Sequence, residues 1–187
     1  MPSLSEAESR TALQLARKAV VDAVSYRRPS DPITHNGILA ERRGVFVTLH
    51  VCGRLQGCIG VVEPEEPLGV AITRCAASAA LEDPRFTSMQ ADQLDDLTIE
   101  ISLLSALAPI SLESIELGRH GLLVALHTQR GLLLPQVAME HHWTREQFLE
   151  ETCRKAGLPR EAWRDPEMRI FGFTCEVYLE GQPPEGT

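Results

Sequence analysis

Residues 97–103 of this chain, Leu-Thr-Ile-Glu-Ile-Ser-Leu, alternate apolar and polar side chains without a break. Successive side chains of a strand point to opposite faces of a sheet, so this pattern predicts a strand with one buried and one wet face. Such strands are typical of antiparallel sheets, because the helical crossovers of parallel sheets cover both faces. The pattern therefore favours an antiparallel sheet.

Three helices are predicted from apolar periodicity and end signals. The first covers residues 5–25 and opens with a Ser-x-x-Glu capping box. The second begins at Pro67, has an alanine-rich apolar face and is stopped by the Asp-Pro pair at 83–84. The third follows a Thr-x-x-Gln box at Thr144 and stops at Gly157. A short helical turn at the proline of the Leu-Leu-Leu-Pro segment is also expected.

Two hairpins are predicted, each made of two short apolar runs joined by turn residues. Their strands cover residues 44–51 with 55–62, and residues 121–126 with 131–134. The first hairpin turns at 52–53 or 53–54, and the second turns through residues 127–130. Strand 97–103 and these hairpins supply most of the predicted sheet.

A last strand is predicted over residues 168–179, with its odd-numbered apolar residues on one face. Those residues are Phe171, Phe173, Cys175, Val177 and Leu179. Residues 27–36 are predicted to form an irregular loop, and residues 181–187 a frayed tail. We expect residues 1–180 to form one domain.

Composition and charge narrow the function classes. The chain has 187 residues, 43% of them hydrophobic and 24% charged, as in ordinary globular proteins. A net charge of −8 disfavours nucleic acid and anionic membrane as main ligands. We find no signal-peptide pattern and no apolar run long enough to span a membrane. The five cysteines include no Cys-x-x-Cys pair, which fits reduced thiols and a cytoplasmic location.

One cysteine, Cys58, lies between Gly57 and Gly60 on the return strand of the first hairpin. Glycine weakens a strand interior, so this pair indicates that something approaches the backbone closely. Two interpretations stay open. Cys58 is either a nucleophile or ligand-contacting thiol, or a small residue buried where a helix crosses the hairpin.

The other four cysteines have simpler interpretations. Cys75 and Cys153 lie on apolar helix faces and Cys175 on an apolar strand face, where a thiol behaves as a small hydrophobe. Cys52 lies near the hairpin turn and is expected to be exposed and inert. Core packing therefore leaves Cys58 as the cysteine without a ready explanation.

A metal site formed by His50, Cys52 and Cys58 is disfavoured by strand parity. A two-residue loop at either turn position places Cys58 on the face opposite His50 and Cys52, and only a longer loop or a bulge would bring them together. The adjacent His141 and His142 lack the i, i+4 partner of zinc-binding helices. We predict no metal site, and the sequence identifies no cofactor.

Three further segments carry polar residues of interest. Asp83 and Arg85, on either side of a proline, form either an anion site or a helix stop with a local ion pair. Residues 130–136 form a short apolar run with polar ends, interpretable as a buried strand or as a site. His120 lies near a turn, where a surface or hydrogen-bonded histidine is the simpler interpretation.

Six short segments resemble, in order, the AMMECR1 domain family. They are residues 55–60, 79–86, 99–102, 118–122, 130–136 and 152–159. The resemblance runs from about residue 11 to residue 178. It implies a two-lobed α+β fold, with a mainly antiparallel sheet flanked by helices. It implies no established reaction, and it implies a Memo-like protein and a radical S-adenosylmethionine protein as partners.

The hexapeptide signature of that family usually reads Leu-Arg-Gly-Cys-Ile-Gly, and this chain has Gln56 in place of the arginine. Glutamine supplies hydrogen bonds but no charge. Activation of the thiol by a charge at this position is therefore not expected here.

Two functions remain in competition. The first is a ligand-binding or catalytic cleft at residues 56–60, centred on Cys58 as the catalytic candidate, with Arg85 or Arg130 as anion partner. The second is a non-catalytic adaptor whose hairpin surface docks a Memo-like or radical S-adenosylmethionine protein. The candidate ligand-binding residues are Gln56, Gly57, Gly60, Asp83, Arg85, His120, Arg130 and Gln136.

Overall fold

Capping boxes start the first and last helices, as the sequence predicts. The computed structural model describes residues 3–26 and 36–181. The α-helices in this part are α1 (Glu6–Tyr26), α2 (Leu68–Leu81), α3 (Pro135–Glu140) and α4 (Arg145–Lys155). The Ser5 backbone N–H donates to the Glu8 carboxylate at 3.0 Å, and Thr144 Oγ1 accepts the Gln147 N–H at 3.2 Å. None of these helices is long and apolar enough to cross a membrane.

Small differences separate predicted and observed helix ends. Pro67 is the N-cap of α2, with φ −58° and ψ 150°, and the helix begins one residue later than predicted. Short 3-10 helices also occur, and their few residues give no periodic pattern to detect. They are Gly37–Ala40, Ala91–Gln93, Leu112–Ser114 and Arg160–Arg164. Apart from Asn36 and Gly181, the predicted loop 27–36 and tail 181–187 lie outside the described residues.

The strands pair in antiparallel fashion. They are β1 (Val45–Val51), β2 (Arg54–Val61), β3 (Leu97–Leu104), β4 (Ala108–Pro109), β5 (His120–Leu126), β6 (Gln129–Leu133) and β7 (Arg169–Leu179). Antiparallel ladders join β1 to β2 and β3, β5 to β6 and β7, and β4 to β7. The α+β class with a mainly antiparallel sheet is therefore confirmed. The short β4 was not predicted.

The chain divides into two compact units, in agreement with the two-lobed expectation. The first unit comprises Met1–Leu104 and Glu176–Thr187, and the second comprises Ser105–Cys175. The assignment of residues 1–180 to a single domain stays a prediction.

In the first unit the strand order is β2–β1–β3, with helices on one face of the sheet. Helix α2 packs on β1 and β2, and α1 packs on α2 and β3. Alternate residues of β1 and β3 enter the core between helices and sheet, and Val47, Leu49, Ile99 and Ile101 are fully buried there. The intervening residues lie on the opposite face of the sheet.

The first hairpin turns at Cys52 and Gly53, whose φ angles of 49° and 72° are both positive, as type I′ turns require. Further along β2 the register shifts: His50 pairs with Leu55, while the preceding residue of β1 pairs with Gly57. Residue 56 therefore has no partner of its own, and it forms a β-bulge. The loop length was predicted, and the bulge was not.

The bulge reverses the parity of β2 beyond residue 56. Cys58 pairs with Thr48, two residues from His50 on the regular strand β1, so Cys58 and His50 share a face. The prediction that they lie on opposite faces was wrong. Even so, no group of three or more His, Cys, Asp or Glu side chains in the described part of the chain is arranged to hold a metal ion.

In the second unit the strand order is β4–β7–β5–β6, and α4 packs on β5 and β6. The second hairpin has a two-residue turn, because Leu126 pairs with Gln129. The predicted four-residue turn was wrong, and Gln129 and Arg130 belong to β6. Polar residues at a strand end resemble turn residues in composition, so the sequence does not separate them.

The predicted face of the last strand holds only in part. Phe173 is buried, but Val177 is 42% exposed and the neighbouring Tyr178 is 5% exposed. The strand leaves the second unit after Cys175 and enters the first at Glu176. Two different cores therefore decide which side chains of β7 are buried, and a single alternating pattern does not describe both.

Candidate functional site

The space beside both glycines of β2 is filled by the protein itself. A Cβ at Gly57 would lie 2.0 Å from the carbonyl oxygen of Ala79 in α2. A Cβ at Gly60 would lie 2.3 Å from the ring of Phe46, its cross-strand partner. These are the close approaches that the sequence indicated. A ligand role for Gly57 and Gly60 stays a prediction.

The thiol of Cys58 lies on the face of the sheet that points away from α2. Gly57, next to it, pairs with the core residue Leu49 and meets the helix, so Cys58 points to the other side. Its side chain is half-buried, and Thr48 Oγ1 donates a hydrogen bond to its Sγ at 3.3 Å. Cys58 is thus not a small residue buried beneath a crossing helix.

Polar side chains surround this thiol on three adjacent strands. Thr48 of β1 pairs with Cys58 on one side and with Glu100 on the other. Ser102 Oγ donates to Glu100 Oε1 at 3.4 Å. Thr48 and Ser102 are buried, whereas Cys58 and Glu100 are half-buried. We call Thr48, Cys58, Glu100 and Ser102 the polar face.

Two side chains beyond α2 hold the backbone of Cys58. Its N–H donates to Asp83 Oδ2 at 2.8 Å, and its carbonyl accepts a hydrogen bond from Arg85 Nη2 at 3.1 Å. Strand β2 is at the edge of the sheet, so these backbone groups have no neighbouring strand to pair with. Asp83 and Arg85 therefore satisfy the groups that another strand would satisfy.

Asp83 and Arg85 also form a two-point ion pair. Arg85 Nε and Nη2 donate to the two oxygens of Asp83 at 3.0 and 2.7 Å. The Arg85 hydrogen bonds hold the pKa of Asp83 at about 2, below its ordinary value of 3.8. In return, the Asp83 carboxylate raises the pKa of Arg85, and the neighbouring Cys58 side chain adds to that rise.

One edge of the Arg85 guanidinium remains open. The Arg85 side chain is 53% exposed, and its Nη1 has no hydrogen-bond partner among the described residues. The Cζ atom of Arg85 lies 5.2 Å from the centre of the Phe86 ring. The arrangement places an exposed guanidinium, paired with Asp83, where it interacts with both the carbonyl and the side chain of Cys58.

Gln56 fastens the bulge to the loop that follows α2. Its Nε2 donates to the carbonyl oxygen of Thr87 at 2.8 Å. The amide is therefore engaged with the same loop that carries Asp83 and Arg85. It contributes position and no charge to the site.

The remaining candidates belong to the second unit. His120 Nδ1 accepts the Glu116 N–H at 3.1 Å, and His120 lines a cavity of about 180 Å³ beside Phe173. Arg130 is exposed in β6, and Gln136 is partly buried in α3. The structure thus brings one group of candidates together in the first unit. That group is Gln56, Gly57, Cys58, Gly60, Asp83 and Arg85.

The other cysteines follow most of their predictions. Cys75 and Cys153 are fully buried, and burial raises the pKa of both thiols, that of Cys75 to about 11. Cys52 is exposed at the turn, and a hydrogen bond to Asp96 raises its pKa. Cys175 is half-buried, less covered than a core position implies.

Thr48 and Glu100 were missed as site residues. Glu100 stands at a wet position of the alternating strand 97–103, so its exposure to one face was visible in the sequence. Its alignment with Cys58 through Thr48 was not visible, because the register depends on the bulge. Pairing between strands is a tertiary property.

These features define an antiparallel α+β protein whose first unit presents a half-buried thiol on a polar face. Residues 13–178 match the AMMECR1 family model, and the chain belongs to the AMMECR1 family. A protein from Methanothermobacter thermautotrophicus is 42% identical over 188 residues, covering 95% of this chain and 96% of the relative. A protein from Thermococcus kodakarensis is 41% identical, covering 91% and 89%.

A solved structure shares the fold. The crystal structure of an uncharacterized protein from Pyrococcus horikoshii matches this chain with a TM-score of 0.88 at 35% identity. The match covers 96% of this chain and 95% of that one. The α+β fold of this chain is therefore the fold of a solved relative.

Proposed function

We propose that this protein binds a small anionic ligand at Cys58, with the thiol as the contacting or reacting group and Arg85 as the anion partner. The observation that carries the proposal is the half-exposed Arg85 guanidinium, which interacts with the Cys58 side chain and keeps its Nη1 without a hydrogen-bond partner among the described residues. Guanidinium N–H groups form charge-assisted hydrogen bonds with carboxylates and phosphates, and the two hydrogens of Nη1 are the ones left for a ligand.

The surroundings of the thiol support this proposal. Reactive cysteines are typically partly exposed and next to a cation, and Cys58 is half-buried beside Arg85. Hydrogen bonds to Asp83 and Arg85 fix its backbone, which keeps the sulfur in one position. The Thr48 hydroxyl offers a further polar contact on the same face.

The test compares two alkylating reagents that differ in charge. Native protein is treated with neutral iodoacetamide or anionic iodoacetate, and the rate at each cysteine is followed by peptide mass spectrometry. We expect the iodoacetate-to-iodoacetamide rate ratio at Cys58 to exceed that at exposed Cys52 by about fivefold. That factor corresponds to roughly 1 kcal/mol, the attraction of two unit charges about 4 Å apart in water.

Two variants separate the anion site from a general charge effect. Arg85→Gln is expected to remove the iodoacetate preference at Cys58. The matched control is Arg74→Gln, because Arg74 is similarly exposed and paired with Glu66 in the same unit. The proposal fails if Cys58 reacts only after unfolding, or if Arg85→Gln leaves the ratio unchanged.

One observation favours a second candidate function, the non-catalytic adaptor. Leu55 is 42% exposed on the edge strand β2, and sheet edges are places where another chain can pair or pack. The candidate partner is a Memo-like or radical S-adenosylmethionine protein. The adaptor predicts that a Memo-like protein co-purifies with wild type and Cys58→Ser but not with Leu55→Asp. Equal recovery with Leu55→Asp would contradict it.

A further inference from the structure

A pocket in the second unit is lined by Leu133, from the segment 130–136, but by none of the candidate ligand-binding residues that the sequence singled out. Its volume is about 390 Å³, and Leu133 of β6 and Val137 of α3 form its apolar part. Ligand pockets typically enclose about 300–1,000 Å³ and combine apolar walls with a few polar groups. This pocket has that size and composition.

One wall of the pocket is aromatic. The rings of His141 and Trp143 are stacked, with centroids 4.6 Å apart and an angle of 17° between their planes. Trp143 also contacts the buried ring of Phe148, at a centroid distance of 6.5 Å, which anchors it to the core of the unit. A flat ligand ring finds an offset stacking surface here.

The residues of α4 that line the pocket are Glu151, Arg154 and Lys155, and their net charge is positive. Glu151 is only 10% exposed, and its two oxygens bind Arg154 and Arg160 at 2.7 Å each. Its charge is therefore matched within the protein. Lys155 also lines the pocket, and in the described part of the chain no carboxylate lies within salt-bridge distance of it. These α4 residues keep an excess of positive charge.

We infer that this pocket binds a planar aromatic or heteroaromatic molecule that carries one anionic group. The ring stacks on an outer face of the stacked His141–Trp143 pair, and the anion is held by Lys155 and Arg154. Ring and charge are recognised by different lining residues, so both are needed for tight binding. This site is independent of Cys58 and of the ligand proposed there.

Isothermal titration calorimetry of the full chain tests the inference with two complete probes, adenosine 5′-monophosphate and indole-3-carboxylate. Adenosine supplies a ring without charge, and inorganic phosphate supplies charge without a ring. A complete probe is one that carries both a ring and a charge. We expect at least one complete probe to bind about tenfold tighter than adenosine or inorganic phosphate alone, since stacking and charge-assisted contacts both contribute. The complete probe with the higher affinity shows whether the pocket prefers a phosphate or a carboxylate.

Variants assign the binding to this pocket. Lys155 is exposed, so Lys155→Ala is expected to fold normally and to weaken the complete probe by about fivefold or more. Trp143→Leu should weaken it as well. The control is Arg145→Ala, which removes the same charge from an exposed position of α4 outside the pocket.

Three results overturn the inference. They are the absence of binding by both complete probes at millimolar concentration, equal binding of inorganic phosphate, and equal losses in Lys155→Ala and Arg145→Ala. Circular dichroism of each variant confirms that a lost affinity is not a lost fold. Binding that survives in Cys58→Ser keeps this site separate from the proposed one.

Discussion

The Asp83 carboxylate accepts the backbone N–H of Cys58 at 2.8 Å, although 25 positions separate the two residues in sequence. Arg85 completes the arrangement by donating to the Cys58 carbonyl and to both oxygens of Asp83. The turn after α2 thus fixes the edge strand that carries the thiol. Two polar side chains there have a structural role, and Arg85 is also the anion partner in the proposed function.

Replacing Asp83 with asparagine is expected to lower the free energy of unfolding by about 2 kcal/mol at pH 7. The side chain is 2% exposed, and hydrogen bonds to charged groups typically contribute about 1.5–3 kcal/mol. Urea unfolding of wild type and Asp83→Asn measures the difference. A loss below about 0.5 kcal/mol, the range of ordinary surface substitutions, would show that the ion pair contributes little.

The same pair predicts a pH dependence. Arg85 lowers the pKa of Asp83 from 3.8 to about 2, so the folded state binds this proton less readily than the unfolded state. The stabilisation is therefore complete above about pH 4 and is lost as the pH falls towards 2. The difference in unfolding free energy between wild type and Asp83→Asn should narrow over that interval. A difference that stays constant from pH 6 to pH 2 would contradict the assignment.

Gly57→Ala is expected to destabilise the protein by about 3 kcal/mol or more, at the upper end of overpacking costs. The added methyl carbon would lie 2.0 Å from the Ala79 carbonyl oxygen, and a helix backbone cannot move away cheaply. Gly172→Ala is the control, because its nearest obstacle is the flexible end of Ile110 at 2.8 Å. The midpoint temperature of thermal unfolding should be much lower for Gly57→Ala than for Gly172→Ala, and the reverse order would refute the packing argument.

Cys52→Asn is expected to stabilise the first hairpin by about 0.5–1 kcal/mol, because asparagine tolerates positive φ better than cysteine. Cys52 has a φ of 49° and is exposed, so no core contact is lost. The variant creates an Asn-Gly turn with the following residue. Differential scanning calorimetry measures the gain in stability. Cys52→Ala should show no gain, because alanine does not share the tolerance of asparagine for positive φ.

Cys75 and Cys153 are expected to resist alkylation until the protein unfolds. Both are fully buried, and burial raises the pKa of both thiols, so little reactive thiolate forms at neutral pH. Exposed Cys52 serves as the internal reference. Mass spectrometry before and after urea addition makes the comparison, and rapid labelling of Cys75 in the native protein would show that α2 opens locally.

Local signals in the sequence predicted most elements. The Ser5–Glu8 capping box marked the start of α1, and the Thr144–Gln147 box and Gly157 marked the two ends of α4. Both boxes form the hydrogen bonds that their spacing implies. Periodicity marked α1, α2 and β3 within two residues of their observed ends. These signals are reliable because they depend on neighbours three or four positions apart.

The candidate site was predicted as a set of residues but not as an arrangement. Cys58, Asp83 and Arg85 were named from the sequence, and their hydrogen bonds join them in the structure. Thr48 and Glu100 were not named. The bulge at Gln56 aligned them with the thiol and also invalidated the parity argument about His50.

The sequence by itself determined where most helices and strands form, that the sheet is antiparallel and that Cys58 is the cysteine least explained by packing. Only the tertiary structure decided which face Cys58 occupies, what fills the space beside Gly57 and Gly60, and which groups hold the edge strand. The reason is physical. A capping box or an alternating run is fixed by local geometry, whereas one unpaired residue in β2 shifts every later side chain to the other face, and the packing of the whole sheet selects that shift.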